Sequence, residues 1–219
     1  MSIFSKVAMP RPQHNTFDLS HSRKFSMSIG KITPISVMEA VPGDSFNIKT
    51  TQLVRFAPLL APIMHEASVY CHFFFVPNRL TWDNWEEYIT GGEDAADTSY
   101  TPPVFPMYKL SDTDTIDTGS LADYLGLPTQ SANTVDQTAF STLPFMAYNK
   151  IYNEYYRDQN LCDKVNDTTN DGNNWSTWSA DNVLQSRAWQ HDYFTSALPW
   201  TQKGPEATIP LGTTAPPGS

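Results

Sequence analysis

The residues of this chain that could do chemistry do not stand at catalytic spacings. Cys71 and His72 are adjacent within a predicted β-strand, where neighbouring side chains point to opposite faces, so they cannot form a thiol–imidazole pair. His65 and Glu66 begin like a zinc-protease motif, but Val69 stands where the second histidine is required. These residues favour packing over nucleophilic or metal-assisted catalysis.

The acidic residues give equally little evidence for a metal site. Residues 167–172 match the first half of a calcium loop, but Trp178 stands where such loops need a bidentate glutamate. An Asx-rich turn is therefore the favoured interpretation. Asp112, Asp114 and Asp117 would hold a hard cation only loosely. We predict no catalytic residue, no cofactor and no metal site, and hence a protein that is not an enzyme.

The six tryptophans are the remaining candidates for ligand recognition. Trp175 and Trp178 lie in a polar loop and are the better placed to stack on a sugar or a base. Apolar neighbours favour burial in a core or an interface for the other four: Trp82, Trp85, Trp189 and Trp200.

Short strands and helices separated by long polar loops must position these residues. Residues 67–77 form the most apolar predicted strand, and its end is apolar on both faces, so both faces need cover. In residues 45–56 the even positions are apolar except Thr50 and Gln52, and the odd positions are mostly polar, which predicts a strand with one buried face. Residues 32–41 are mostly β-branched or apolar and predict a third strand.

Four helices are predicted between these strands and the C-terminus. The first follows Thr81 as its N-cap and ends at Gly91, and the second follows Ser120. The others span residues 144–157 and 180–192. The helix 144–157 is the strongest, because aromatic residues recur along it at spacings of three and four: Phe145, Tyr148, Tyr152 and Tyr155.

Composition and charge are those of a globular protein with an uneven surface. The chain has 219 residues, of which 40% are hydrophobic and 17% charged, and its net charge is −9. Residues 1–31 hold five basic residues against Asp18 alone, whereas residues 86–136 hold ten acidic residues and only Lys109. The N-terminal segment is either a solvated tail or an arm that meets a polyanion. Two cysteines give no disulfide framework, and no signal peptide is evident, which indicates synthesis in the cytoplasm.

Seven collinear segments resemble a known family. Their sequences are FDLSHSRK (17–24), PGDSF (42–46), QLVRFAP (52–58), HFFFVPNRL (72–80), GSLADYLGLP (119–128), IYNEYYRDQN (151–160) and DYFTSALPWTQKGP (192–205). Together they resemble the major capsid protein of microviruses, the small tailless single-stranded-DNA phages, and of the gokushovirus branch in particular. The resemblance covers roughly residues 14–212.

The resemblance implies a mainly β fold, an eight-stranded antiparallel jelly roll whose long loop insertions contain short α-helices. It implies an extended basic arm over residues 1–25. Residues 26–219 would then be the N-terminal part of a single jelly-roll domain, with helix-bearing insertions at about 80–205. Only three or four strands can be counted, so we expect this chain to be the first part of a longer polypeptide.

The implied function is that of a structural subunit of a small icosahedral shell around circular single-stranded DNA. Its expected partners are other capsid subunits, a small basic DNA-binding protein, the genome inside and a host-surface receptor outside, with no membrane. We expect assembly in the host cytoplasm and residence in the virion. The residues expected to face DNA or the basic protein are Lys6, Arg11, Arg23 and Lys24. Those expected to pack between subunits are Trp82, Trp85, Tyr148, Tyr152 and Tyr155.

Two other functions remain open from the residues alone. A jelly-roll carbohydrate-binding or hydrolytic module would use Trp175, Trp178 and a carboxylate pair. A phage receptor-binding protein would suit the acidic loops.

Overall fold

The described residues form an extended ribbon, residues 13–77, a packed helical module within residues 78–186, and a further segment that begins at residue 187. The structure is a computed structural model and describes residues 13–93, 99–110, 114–129, 139–198, 200–201 and 203–205. The helices are the 3₁₀ turn Asn78–Leu80, α1 Trp85–Thr90, α2 Leu121–Leu125, α3 Leu143–Ile151, the π-helical turn Tyr152–Tyr156, the 3₁₀ turn Trp175–Thr177 and α4 Trp178–Asp181. The strands are β1 Met107–Lys109 and β2 Ala139–Ser141, which pair antiparallel.

Aromatic rings at the centre of the module hold its elements together. Phe145 of α3, which is 1% exposed, packs against Tyr108 of β1, Phe140 of β2 and Trp178 of α4, with ring centroids 5.4 to 5.9 Å apart. Such edge-on and tilted ring pairs add to the free energy gained by burial alone. One hydrophobic core therefore joins the two-stranded sheet to the helices.

The ends of the short helices follow local capping chemistry. The hydroxyl of Ser120 accepts the N–H of Asp123, whose carboxylate accepts the N–H of Gly119 at 2.8 Å, and Gly126 closes α2 at φ 101°. The prediction of α2 is confirmed. The prediction that Thr81 caps the first helix is wrong, because its hydroxyl donates to the carbonyl of Asn78 and closes the preceding turn. Consequently α1 begins later, at Trp85.

The predicted helix 144–157 is confirmed as α3 and its π-helical continuation. The wider turn is visible in the bond from the N–H of Arg157 to the carbonyl of Tyr152, five residues earlier. This change of pitch rotates the end of the aromatic stripe outwards. Tyr148 and Tyr152 are each 7% exposed, whereas Tyr155 is 60% exposed.

The predicted helix 180–192 is wrong beyond Asp181. The amide of Asn182 turns to accept the N–H of Ala122 at 2.8 Å. The carbonyl of Gln185 then accepts the N–H of Ile32 at 3.0 Å. Backbone pairing with the ribbon thus replaces the intrahelical bonds that would continue α4.

The strands predicted at 32–41, 45–56 and 67–77 are not formed in the described residues. A strand needs a neighbouring backbone to satisfy its N–H and C=O groups. The ribbon finds one only at the bridge between Lys31 and Ser186. Two strands in the described part of the chain make no jelly roll, so that expected fold is not seen here. Within the same residues, no helix is long and apolar enough to cross a membrane.

Candidate subunit-contact surface

The ribbon leaves most of its large apolar side chains exposed. Leu53 is 98% exposed, Met64 is 88% exposed and Phe75 is 77% exposed. Similar side chains recur along the whole ribbon. Soluble proteins rarely leave an apolar surface of this extent uncovered, so the ribbon is the candidate contact surface of this chain.

The N-terminal half of the ribbon is fastened to the helical module. The N–H of Arg187 donates to the carbonyl of Gly30 at 2.9 Å, next to the antiparallel bridge of Lys31. The hydroxyl of Tyr148 donates to the carbonyl of Ile32 at 2.8 Å and accepts the N–H of Gln185. Burial raises the pKa of the Tyr148 hydroxyl above its ordinary value.

The C-terminal end of the ribbon packs one face against the π-helical turn. We name these residues the aromatic cluster: Tyr70, His72, Phe74, Tyr155 and Tyr156. A ring nitrogen of His72 lies 2.8 Å from the Tyr156 hydroxyl, and the Phe74 ring lies 5.2 Å from that of Tyr155. The three ribbon residues are the even positions of the predicted strand, so the ring contacts recur at every second residue although no strand forms here. Burial does not alternate, because Tyr70 and Phe73 are both 61% exposed and Phe74 and Phe75 are also exposed.

The tryptophans expected at subunit contacts have separate environments. Trp82 is 1% exposed and its indole N–H donates to Asp171 at 2.7 Å. Its ring packs within the chain against Trp85, which is only half-buried. Of the tyrosines with the same expected role, Tyr155 offers the most surface to a neighbour.

The four basic residues of the expected DNA-facing arm are only partly described. Lys6 and Arg11 lie outside the described residues. Arg23 donates to the carbonyls of Ile35 at 2.7 Å and Asp123 at 3.2 Å, which ties the ribbon to α2. Lys24 is exposed.

The two tryptophans predicted to stack on a sugar or a base, Trp175 and Trp178, both make contacts within the chain. Trp178 is 5% exposed in the core, so the expectation that it is free to stack on a sugar is wrong. Its ring is needed to fill the space between the strands and α3. Trp175 is 45% exposed, and its indole N–H donates to Asp114. Among the described residues, no group of three or more His, Cys, Asp or Glu side chains is placed to hold a metal ion.

The segment that resembles a calcium loop is also held by side chains of the module. Asp167 pairs with Lys164 at 3.1 Å and Lys150 at 3.4 Å. Burial opposes ionisation of Asp167, but the hydrogen bond from Asn153 and the two ammonium groups outweigh it and keep its pKa below the ordinary value. Asp171 accepts from Trp82 and Asn84. Both carboxylates therefore contact side chains of the module, although Oδ2 of Asp167 has no hydrogen-bond partner within the described residues.

One surface was missed by reasoning from the sequence. The sequence predicts a helical position for Arg187 and a buried one for Trp189, yet both are exposed beside the π-helical turn. Arg187 stacks over the Tyr70 ring at 5.2 Å, and Trp189 is 95% exposed. The only signal in the sequence was the cluster of cations and aromatic residues around 187–203.

Comparison with known proteins gives one consistent result. A family model described as "Capsid protein (F protein)" matches residues 5–218. The chain is 37% identical to "Capsid protein VP1" of Bdellovibrio phage phiMH2K over 97% of the chain and 38% of that protein. It is 39% identical to "Capsid protein VP1" of Chlamydia phage 1 over 94% of the chain and 36% of that protein.

The chain is also 32% identical to "Capsid protein VP1" of Spiroplasma virus 4, over 98% of the chain and 39% of that protein. The chain thus spans somewhat more than a third of the length of these relatives. The family model matches nearly every residue of the chain, and the exposed ribbon is a candidate surface for contacts with other proteins. The chain therefore belongs to the phage capsid protein (F protein) family.

Proposed function

We propose that this chain is the N-terminal part of a major capsid subunit of a microvirus-like phage, and that its work is self-association. The observation that carries the proposal is the exposed apolar ribbon beside an already packed module. A reaction is not needed to explain any group of residues in the described structure. A structural role is also what membership of a capsid-protein family indicates.

The ribbon supplies strands of a jelly roll that the chain does not complete alone. Residues 45–56 and 67–77 have the two-residue alternation of strands but lack neighbours. The relatives are more than twice as long as the matched region, so we infer that strands from a longer polypeptide pair with the ribbon. Burying each exposed Phe or Leu there would stabilise the barrel by about 1.5 to 3 kcal/mol.

Hydrogen exchange tests this assignment. Amides of residues 45–77 exchange rapidly in the isolated chain, because nearly all of them lack backbone partners. In the assembled full-length product the same amides are expected to slow by more than about 100-fold. Amides of α3 serve as the internal control, since they are hydrogen-bonded in both samples. Rapid exchange of the ribbon in the assembled product would overturn the assignment.

The helical module is proposed to cover the barrel and to contact neighbouring subunits. Trp85 and Tyr155 are the candidates with surface left for such contacts, whereas Trp82, Tyr148 and Tyr152 support them from within. Contacts repeated around a closed shell need only modest strength individually. The outer surface is then available to a host receptor, and the subunit resides in the virion.

The basic arm is proposed to face the genome or a small basic DNA-binding protein. The variant carrying Lys6→Ala, Arg11→Ala and Lys24→Ala is expected to form shells but retain less DNA, because fewer phosphates are neutralised. Arg23→Ala alone is the comparison, since Arg23 binds carbonyl groups of this chain and its loss should lower stability. DNA content per purified shell is the measurement. Unchanged DNA content in the triple variant would reject the role of the arm.

A further inference from the structure

A groove of about 480 Å³ lies between the π-helical turn and the segment that begins at residue 187. Its walls come from residues 155–160, residues 187–191 and Lys203. Tyr155, which is among the residues proposed above for subunit contacts, lines this groove. An inference about what the groove binds therefore rests on the proposed self-association.

The charge of the groove is opposite to that of the chain. The groove carries one carboxylate and three permanent cations: Arg157, Arg187 and Lys203. The carboxylate is that of Asp158, and one of its oxygens accepts the N–H of Asn160 at 2.9 Å while the other lies 3.0 Å from a ring nitrogen of His191. The net charge of the chain is −9. A cationic groove on so acidic a chain attracts acidic groups, including those of identical chains.

The described part of the chain leaves some donors of these cations unused. The Nε–H of Arg157 is buried and has no acceptor there, although another nitrogen of its guanidinium is hydrogen-bonded. Lys203 donates to the amide oxygen of Asn160 at 3.2 Å, and an ammonium group has three N–H donors. Arg187 is exposed and lies over the Tyr70 ring at 5.2 Å. Charged donors form their strong hydrogen bonds with anionic oxygens, so the groove suits carboxylate side chains.

Exposed aromatic rings lie beside the same cations. Trp189 is 95% exposed and Tyr155 is 60% exposed, and both line the groove. Tryptophan, tyrosine and arginine are the residue types that contribute most to binding at protein–protein interfaces. The composition of the groove therefore favours a polypeptide as its occupant, with apolar side chains next to carboxylates.

The edge of α1 has this complementary composition. Residues 80–108 contain six acidic residues and no lysine or arginine. Glu86 and Ile89 are three residues apart on α1 and so lie on one side of the helix, and both are exposed. Asp83, just before the helix, is exposed as well. Within the described residues, neither carboxylate forms an ion pair. We name these three residues the acidic edge.

We propose that the groove of one subunit binds the acidic edge of a second copy of this chain. The carboxylates of Asp83 and Glu86 meet the cations of the groove, and Ile89 packs against Trp189. The groove and the acidic edge are different surfaces of the chain, so the contact between them is heterologous. Repeated around an axis, such a contact closes a ring of subunits, as a closed shell requires.

An exchange of charges between the two surfaces of the full-length product tests the proposal. Arg187→Glu alone and Glu86→Arg alone are each expected to lower the yield of shells at least about tenfold, because each places like charges in contact. The product that carries both substitutions should recover most of the yield, since opposite charges meet again. Electron microscopy of the purified products counts the shells.

A matched control separates this contact from a change in net charge. Lys109 is exposed and lies outside the groove. Lys109→Glu combined with Glu86→Arg has the same net charge as the exchanged pair and should not recover the yield. Recovery by this control to the same extent would show that net charge alone governs assembly and would overturn the proposal.

Carbodiimide cross-linking identifies the occupant of the groove directly, because it joins a lysine to a carboxylate in contact. Shells assembled from an equal mixture of isotope-labelled and unlabelled product should give peptides that link Lys203 to Asp83 or Glu86. Some of these linked peptides should combine one labelled and one unlabelled partner. Links from Lys203 to another segment, or links within one chain only, would show a different occupant and overturn the proposal.

The outcomes distinguish this contact from the capsid role on which it rests. Normal shells from Arg187→Glu, or no recovery in the exchanged pair, would overturn the contact and leave the capsid role standing. Absence of shells from the unsubstituted full-length product would instead reject self-association, and the contact with it.

Discussion

A full-length product carrying Phe73→Asp and Phe75→Asp is expected to form no closed shells. Both side chains are exposed in this chain, at 61% and 77%, and lie on the face of the ribbon opposite the aromatic cluster. If strands of the remaining polypeptide cover that face, each substitution removes about 1.5 to 3 kcal/mol of apolar burial. It also places an unpaired carboxylate where no water can solvate it, which costs several further kcal/mol. Electron microscopy of the purified product counts the shells.

Two controls make this outcome specific to the proposed contact. The same positions changed to Leu keep an apolar side chain and should still give shells. Conversely, the Asp substitutions placed in the isolated chain should leave its unfolding midpoint unchanged, since neither side chain belongs to the core. Normal shells from the double Asp variant would show that this face of the ribbon stays exposed and would contradict the account.

Phe145→Ala is expected to lower the free energy of unfolding of the helical module by about 3 to 5 kcal/mol. Phe145 is 1% exposed, and its ring contacts rings from both strands and from α4. Removing the ring therefore leaves a cavity, which the surrounding short elements cannot close because they pack against one another. Small modules with few secondary-structure elements have little stability in reserve. Urea unfolding followed by tryptophan fluorescence measures the change, because Trp178 lies in the same ring cluster.

Phe75→Ala is the matched comparison for the core substitution. It removes the same atoms from a site that is 77% exposed, and the unfolding free energy should change by no more than about 0.5 kcal/mol. Equal losses from the two variants would mean that the ribbon contributes to the core as strongly as α3 does. That result would contradict the division of the chain into ribbon and module.

Local signals along the chain predicted the helices that depend on local interactions. Ser120 predicted the start of α2, because its hydroxyl caps the helix within the segment by accepting the N–H of Asp123. The stripe that begins at Phe145 likewise predicted α3. The π-helical turn could not be predicted, because its hydrogen bonds span only one residue more than those of an α-helix. The spacing of the aromatic residues up to Tyr155 does not distinguish the two.

The strands and the candidate sites depend on partners far away in sequence. The alternation in residues 45–56 and 67–77 indicates strands, but alternation does not supply a neighbour, and in this chain the ribbon stays unpaired. Trp178 stands in a polar segment and nevertheless fills the core, because α4 turns it towards Phe145. The exposed surface at Arg187 and Trp189 was missed because these residues come to lie beside the π-helical turn only in the folded chain.

Cryo-electron microscopy of the full-length product that contains this chain shows directly whether other polypeptides cover the ribbon. We expect closed icosahedral shells in which residues 45–56 and 67–77 are paired strands of a jelly roll and the helical module lies over the barrel. A product that remains a single subunit in solution, with the ribbon still unpaired and exposed, would contradict this expectation.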